Sequence, residues 1–166
     1  MKWPVLRVQE LAGNNLKTKF MSFIKVWIHF VWSTKNRKPY LDSIELRQKV
    51  WIHIQENAKE KGIYVDFING YSDHCHCLIS LGIDQNIQKT IQLIKGESSF
   101  WINKNKLTKE KFEWQDEYFA VSVSESIVDK VRDYIKNQES HHKKKTFQEE
   151  YEEIISKFGF DKISVK

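Results

Sequence analysis

The spacing of hydrophobic residues along this chain changes repeatedly between the two-residue repeat of a strand and the longer repeat of a helix. The order of these changes constrains the fold more than any other feature of the sequence. Four segments have the β-prone composition or the alternation of strands: 23–32, 63–67, 74–81 and 118–123. Two segments have apolar residues at helical spacing, 43–61 and 86–104, and a third helix is predicted to begin near 126. The order βαββαβ followed by α predicts an α+β fold. We expect a ferredoxin-like antiparallel sheet with an added C-terminal helix, which carries Tyr134.

Local signals predict how several of these elements lie and end. The first strand has one wholly apolar face, while its other face includes His29, so we expect the strand to be half-buried. Gly62 follows the first helix at the expected C-cap position. Asn69-Gly70 predicts the turn of a hairpin between the second and third strands. Ser126 and Asp129 predict a capping box at the start of the third helix.

Length and composition limit the class of protein. The 166 residues fit one domain, and six Trp, six Tyr and ten Phe supply a substantial core. A formal net charge of +5 is compatible with a polyanionic partner, although a mild excess of lysine is also common on ordinary protein surfaces. The sequence has neither the run of ~20 apolar residues that spans a bilayer nor a Walker-type nucleotide loop. We therefore expect no membrane span and no nucleotide hydrolysis.

The remaining features predict the location and the organisation of the chain. Cys75 and Cys77 lie two apart on a predicted strand, near the upper limit of what a disulfide can bridge. We therefore expect free thiols and a reducing, cytoplasmic compartment. Residues 1–20 are predicted to be a weakly ordered extension and 21–142 to form the domain. Residues 143–166 are predicted to be a basic, amphipathic tail whose short helix packs on the body or on a second subunit.

Two histidines stand at positions i and i+2 at the start of the third predicted strand. Because alternate residues of a strand point to the same face, the His74 and His76 side chains project from the same face and could bind one metal ion together. Zinc is an alternative occupant because Cys75 and Cys77 interleave with them, but the thiols point to the opposite face. Histidines in sheets also occur as hydrogen-bonded residues that bind no metal, so the motif alone leaves both interpretations open.

Tyr134 and Gln138 stand four residues apart in the third predicted helix, which places them on one face. Asn137, three residues from Tyr134, is a competing amide. Two imidazoles and one neutral amide oxygen would leave a bound cation fully electropositive, so Mg²⁺ or Mn²⁺ suits this set. A tyrosine in a helix is more often a packing residue, and its phenol is protonated near neutral pH. A nucleophilic role therefore requires a nearby base or cation.

The loop after the first strand is a candidate nucleic-acid contact. It combines the phosphate-seeking side chains of Lys35, Arg37 and Lys38 with two neighbouring rings, Trp32 and Tyr40, on which bases could stack. A solvated basic loop would look the same in sequence. Three other histidines are weaker candidates. His29 suits ordinary packing better than a supporting role beside the pair. His141 and His142 could be ligands, but next to three lysines they are more typical of a solvated basic patch.

Six motifs occur together in a fixed order: Trp32-Ser33-Thr34-Lys35-Asn36-Arg37, His74-Cys75-His76, Lys95-Gly96-Glu97-Ser98-Ser99, Trp114-Gln115, 119–124, and Tyr134 with Gln138. In this combination the segment 21–142 resembles the single-tyrosine HUH transposases of the insertion-sequence 200/605 group, which includes the REP-associated tyrosine transposases. One departure is Cys75, where a bulkier aliphatic residue is usual. The resemblance implies a ferredoxin-like enzyme that cleaves and rejoins single-stranded DNA in DNA transposition.

The resemblance also implies a role for each site residue. His74, His76 and Gln138 would bind the divalent ion, and Tyr134 would attack the scissile phosphate to give a 5′-phosphotyrosine and a free 3′-hydroxyl. It further implies single-stranded DNA with hairpins at element ends as the partner, and a homodimer, although REP-associated relatives can act as monomers. The alternatives are a relaxase-like nickase, which the small size disfavours, and a non-catalytic or domesticated single-strand nucleic-acid-binding module.

Overall fold

A computed structural model describes residues 7–8, 19–20, 24–141 and 147–158 of the chain. The main sheet has four strands: β1 (Val26–Ser33), β2 (Tyr64–Gly70), β3 (His74–Leu81) and β4 (Phe119–Val123). The α-helices are α1 (Ile44–Glu60), α2 (Ile87–Lys104), α3 (Val128–Lys136), α4 (Gln138–His141) and α5 (Phe147–Phe158). Short 3-10 turns occur at Lys35–Arg37 and Glu125–Ile127, and Arg7–Val8 pairs with Lys19–Phe20 as a separate antiparallel ribbon.

The strands lie in the order β2-β3-β1-β4, and every neighbouring pair is antiparallel. This order and the βαββαβ sequence of elements confirm the predicted ferredoxin-like α+β fold, and α3 is the added helix that carries Tyr134. Because β1 lies between β3 and β4, residues from all three strands share each face of the sheet. The predicted boundaries at residues 20 and 142 stay predictions.

One face of the sheet carries the main hydrophobic core, beneath α1 and α2. Its members alternate along the strands and recur at helical spacing along the helices, as amphipathic elements require. They include Ile28, Phe30, Trp32, Cys75, Cys77, Ile79, Val50, Trp51, Ile54, Ile91, Ile94 and Ile102. Ser43 caps the start of α1 by accepting a hydrogen bond from the Leu46 amide, and Gly62 follows α1 with φ +71°, as its C-cap position predicted.

The opposite face of the sheet is covered by α3, so the prediction of a half-buried first strand is wrong. Residues 27–32 of β1 lie between two packed layers, with only His29 partly open. A second, smaller cluster joins this face to α3: Trp27, Leu78, Val123, Val128 and Ile135, all of them buried. The alternation of β1 shows which residues share a face, but it carries no information about a helix that packs there a hundred residues later.

The predicted hairpin turn is wrong by a few residues, because β2 continues through Asn69 and Gly70 and the chain turns at 71–73. Gly70 does not lie in a turn but at a position where the backbones of β2 and β3 approach closely. A Cβ at this position would lie 2.2 Å from the backbone oxygen of His74 and 2.8 Å from the Cα of Cys75. The glycine therefore lets β2 and β3 come together directly beside the first histidine.

The predicted capping box at the third helix is also wrong. Ser126 lies in the 3-10 turn before α3, and its hydroxyl pairs with that of Ser124 at 2.9 Å. Asp129 instead accepts a hydrogen bond from Arg132 at 2.7 Å, and the N-cap residue, Ile127, makes no side-chain cap. The 3-10 turn moves the N-cap position from Ser126 to Ile127, so Ser126 no longer occupies the position that the motif requires.

The predicted helix of the tail is present as α5, and it packs on the body of the domain. Its Tyr151 ring lies 5.0 Å from the Phe119 ring of β4, centroid to centroid, at 62°. The Arg37 guanidinium lies 5.3 Å from the centre of the same Tyr151 ring. His142 and the lysines at 143–145 fall outside the described residues. No helix in the described ranges is long and apolar enough to cross a membrane.

Candidate functional site

The two histidines of β3 point to the face that α3 covers. Ser33 and Val31 of β1 are their cross-strand partners, for His74 and His76 respectively, and both imidazoles are completely buried. The cysteine between them, Cys75, lies in the main core on the other face and is a free thiol. Burial raises its pKa well above the usual range, so it is protonated at neutral pH. The strand thus separates the imidazoles from the thiols, as its alternation predicted.

Each imidazole is oriented through its Nδ1 atom. His74 Nδ1 lies 2.7 Å from Asp73 Oδ1, and His76 Nδ1 lies 3.2 Å from His29 Nε2. The two β3 rings are nearly perpendicular, with centroids 5.3 Å apart. Because both Nδ1 atoms are engaged by neighbouring side chains, Nε2 is the nitrogen that each ring can present to a cation. Metal-binding histidines in proteins are typically held in this way.

His29 and Asp73 are therefore the orienting partners of the pair. The sequence leaves His29 between packing and a supporting role, and the structure brings it into contact with His76. Burial, with a further contribution from the His76 ring, lowers the pKa of His29 from 6.5 to about 3. His29 is thus neutral at pH 7 and can accept a hydrogen bond from His76. Asp73 was missed, although its position directly before His74 was a signal.

Tyr134 lies on the face of α3 that covers these histidines. Its ring is edge-on to His76, with centroids 5.5 Å apart at 85°, and edge-on to His29, with centroids 6.2 Å apart at 78°. The side chain is half-buried at the border of the small cluster beneath α3. The structure thus brings the predicted nucleophile and the predicted ligand pair together within one chain.

Gln138 lies one turn beyond Tyr134, after a break in the helix. The tyrosine helix ends at Lys136, Asn137 is its C-cap residue, and Gln138 begins α4. The two residues stay in contact across this break, since the side-chain amide nitrogen of Gln138 donates to the Tyr134 carbonyl oxygen at 3.5 Å. Gln138 is completely buried. The competing amide, Asn137, is exposed and donates to the Asp133 carbonyl at 2.8 Å, so it faces its own helix.

Polar contacts attach the tyrosine segment to the rest of the domain. Arg132 of α3 donates to both carboxylate oxygens of Asp66 on β2, at 2.6 and 3.2 Å. Asn69 of β2 donates to the Lys136 carbonyl at 3.0 Å and so caps the end of α3. Glu139 of α4 accepts from the buried guanidinium of Arg47 on α1 at 2.8 Å. The position of Tyr134 is therefore defined at the middle and at the end of its helix.

The basic loop is only partly as predicted. Lys35 and Lys38 are paired with acidic residues of the 108–117 segment, at 2.7 Å to Asp116 and 2.8 Å to Glu110. Hydrogen bonds to these carboxylates raise the pKa of both lysines. Exposed pairs of this kind are weak, so phosphates can compete for the lysines.

The rings expected beside the basic loop are used for packing. Trp32 is buried with its indole edge-on to Trp114, at a centroid distance of 5.8 Å, so the expectation that it stacks on bases is wrong. Tyr40 packs against Phe112 at 5.3 Å. The reason is that Trp32 belongs to the apolar face of β1, and the alternation of that strand directs it into the main core.

Two of the motifs that carry the family resemblance contact each other and have a structural role. The Lys95 ammonium of α2 donates to the backbone oxygens of Gln115 and Asp116 at 2.6 and 2.9 Å. The Trp114 indole nitrogen donates to the hydroxyl of Ser98 at 2.9 Å. These bonds hold the 113–117 segment against α2, next to the end of β1. The motifs thus support the sheet rather than add residues to the histidine pair.

The donor set at this interface fits a divalent cation. In the described part of the chain, no group of three or more His, Cys, Asp or Glu side chains is arranged to hold a metal. A ligand set here therefore has to include another residue type. The predicted third ligand, Gln138, is completely buried, as are His74 and His76. Imidazole nitrogen with amide oxygen suits Mn²⁺ or a similar divalent ion. The His141 side chain and all of His142 lie outside the described residues.

Comparison with known proteins identifies the family. The profile of the family described as "Transposase IS200 like" matches residues 22–138. A crystal structure of a candidate transposase from Deinococcus radiodurans R1 is similar, with 22% identity and a TM-score of 0.58, over 74% of this chain and 98% of that one. A REP-associated tyrosine transposase bound to a REP hairpin is also similar, with 16% identity and a TM-score of 0.55, over 76% and 74%. No curated protein matches. The chain belongs to the family of IS200-like transposases.

Proposed function

We propose that this protein cleaves and rejoins single-stranded DNA during DNA transposition, with Tyr134 as the nucleophile. His74, His76 and Gln138 hold a divalent ion, Mg²⁺ or Mn²⁺, in this proposal. The observation that carries it is the edge-on approach of Tyr134 to His76, at 5.5 Å between centroids, above two buried imidazoles oriented through Nδ1. A tyrosine placed only for packing would not require a pair of oriented imidazoles beneath it.

The reaction is a transesterification in which the chain supplies the attacking oxygen. The Tyr134 phenol loses its proton as its oxygen bonds to the scissile phosphorus. The bond from phosphorus to the 3′-oxygen breaks, and that oxygen takes up a proton to become a free hydroxyl. The product is a 5′-phosphotyrosine, which a 3′-hydroxyl can attack in the reverse sense to rejoin DNA. A divalent ion at the site would polarise the phosphate and stabilise the negative charge that develops.

The protein supports this reaction mainly by orientation. Asp73 and His29 fix the two imidazoles, while the small cluster beneath α3 and the Arg132–Asp66 pair fix the helix that carries the nucleophile. Holding reacting groups in place lowers the entropic part of the barrier. Tyr134 approaches the histidines of its own chain, so catalysis within one subunit is compatible with this arrangement.

The proposed partner is single-stranded DNA that contains a hairpin. One similar structure is a REP-associated tyrosine transposase bound to a REP hairpin, which supports DNA of this kind as the ligand. The net charge of +5 and the basic turn at Lys35–Arg37 are compatible with it. A homodimer and a cytoplasmic location remain part of the proposal.

The test is to mix the protein with single-stranded DNA from the flanks of its own gene, in Mn²⁺ or Mg²⁺ and in EDTA. We expect a denaturant-resistant protein–DNA adduct that depends on the metal and maps to Tyr134. Tyr134→Phe should remove the adduct and leave DNA binding largely unchanged. Tyr64→Phe is the matched control, because Tyr64 is an exposed tyrosine of β2 that packs near Trp27, outside the site.

Two results would overturn the proposal. Adduct formation by Tyr134→Phe would show that another residue is the nucleophile. DNA binding without an adduct on any flanking strand, in either metal, would instead support the non-catalytic binding module.

A further inference from the structure

A groove of about 760 Å³ opens on the same face of the sheet as the histidines, between β4, the basic turn and α5. We call it the α5 groove. Its lining includes Val31, Ser33, Arg37, Phe119 and Tyr151. Arg37 belongs to the basic turn already considered as a DNA contact, and Val31 and Ser33 are the strand partners of the two histidines. Phe119 and Tyr151 have had no role in the site so far.

The register of the sheet connects the groove to the histidine pair. Val31 of β1 pairs with His76 on one side and with Phe119 of β4 on the other. Paired residues share a face of the sheet, and adjacent strands lie about 4.8 Å apart. His76, Val31 and Phe119 therefore form a row of side chains across three neighbouring strands. Val31, which lines the groove, is on the strand next to the proposed ligands.

The walls of the groove combine aromatic rings with a guanidinium group. The Phe119 and Tyr151 rings lie 5.0 Å apart at 62°, and both side chains are only half-buried, which leaves ring surface accessible. Arg37 lies against the Tyr151 ring at 5.3 Å from its centre. Glu117 also lines the groove, and its carboxylate accepts a hydrogen bond from the Gln115 amide at 2.6 Å. Rings next to an arginine are the combination with which proteins bind unpaired nucleotides.

We propose that the α5 groove binds an unpaired nucleotide adjacent to the scissile phosphate. Its base packs against Phe119 and Tyr151, and its phosphate contacts Arg37. The volume lies within the roughly 300–1,000 Å³ that is usual for small-ligand sites, which is enough for one or two nucleotides. This inference rests on the proposed function, and it gives α5 a role as a wall of the DNA site.

The test uses binding in EDTA, so that it does not depend on cleavage. A fluorescent oligonucleotide from the gene's flanks is compared with versions that have an abasic site at one position at a time. For the wild-type protein we expect one or two abasic positions next to the cut to weaken binding by roughly tenfold. Tyr151→Leu keeps apolar packing but removes the stacking ring, so it should weaken binding of the intact strand by a similar factor.

The decisive result is the combination of the two changes. If the base packs on Tyr151, the Tyr151→Leu variant should bind the abasic strand almost as well as the intact strand, because the variant has already lost the contact that the abasic site removes. Phe100→Leu is the matched control, since Phe100 is an exposed ring of α2 on the other side of the sheet. It should bind and respond to abasic sites as the wild type does.

Two results would overturn the groove proposal. One is unchanged affinity of Tyr151→Leu for the intact strand. The other is an equal loss for intact and abasic strands, which would indicate a general disturbance of α5. The proposed chemistry is judged separately by the Tyr134 adduct. Coupling without an adduct would refute catalysis and the placement next to a scissile phosphate, and it would leave only the binding of an unpaired nucleotide in the groove.

Discussion

Replacing His29 with phenylalanine is expected to weaken Mn²⁺ binding while leaving the fold intact. His29 Nε2 lies 3.2 Å from His76 Nδ1, and the low pKa of His29, about 3, keeps it neutral and able to accept. Accepting there holds the proton of His76 on Nδ1 and directs the Nε2 lone pair toward a cation. Phenylalanine preserves the ring that stacks on His76 at 5.3 Å and contacts Tyr134 edge-on, but it has no acceptor.

The magnitude follows from the loss of this one hydrogen bond. Removing the outer partner of a metal-binding histidine typically reduces metal affinity by about 10- to 100-fold. That range corresponds to about 1.4–2.7 kcal/mol.

Isothermal titration with Mn²⁺ measures the affinity, and circular dichroism with a thermal scan verifies the fold. His53→Phe is the matched control, because His53 is also an imidazole held by a neighbour, Glu97, at 2.9–3.0 Å. It lies between α1 and α2, on the far side of the sheet from the site. Its Mn²⁺ affinity should equal that of the wild type.

Native Mn²⁺ affinity in a folded His29→Phe variant would refute the orienting role of His29. An equal loss in His53→Phe would assign the effect to stability instead.

Three further predictions concern the structure around the site. Gly70→Ala should destabilise the protein by about 3 kcal/mol, because the new Cβ would lie 2.2 and 2.8 Å from backbone atoms of β3. Gly96→Ala should stabilise it by about 0.5–1 kcal/mol, because a Cβ there meets no neighbouring atom within 4 Å. Chemical denaturation measures both changes. A double-mutant cycle of Arg132→Ala with Asp66→Ala should give a favourable coupling energy, since Arg132 donates to both carboxylate oxygens of Asp66. Neither cysteine should react with a thiol reagent in the native protein at neutral pH, because burial raises both pKa values and only the thiolate reacts; mass spectrometry should find both labelled in urea.

Each of these has a result that would contradict it. A native-like Gly70→Ala would show that the strands can separate without cost beside His74. Additive effects of the Arg132 and Asp66 changes would show that the pair does not fasten α3. Labelling of the native cysteines would show that β3 is open to solvent on the α1 and α2 side.

The parts of the structure that follow from local patterns could be predicted from the sequence. The strand that begins at His74 and the helix between Ser43 and Gly62 have the predicted bounds, within a residue. In both, the hydrophobic period and the end signals depend on residues close together in the chain. The grouping of His74 with His76 needed only the two-residue repeat of a strand.

The parts that depend on distant residues could not be predicted in this way. That α3 would cover the second face of β1 depends on packing between segments about a hundred residues apart. The Arg132–Asp66 and Arg47–Glu139 pairs likewise join residues that no local pattern connects. The capping box failed for a different reason, since a single 3-10 turn shifted the start of the helix.

The hydrophobic core on one face of the sheet is much larger than the cluster on the other face. The histidines and Tyr134 are therefore supported by packing of unequal extent. The histidines belong to β3, which is hydrogen-bonded to strands on both sides and backed by the main core. Tyr134 belongs to a nine-residue helix that rests on a small cluster and a few polar contacts. Proteins open in cooperative units of unequal stability. If α3 opened before the sheet, Tyr134 would separate from His74 and His76 while the strands stayed paired.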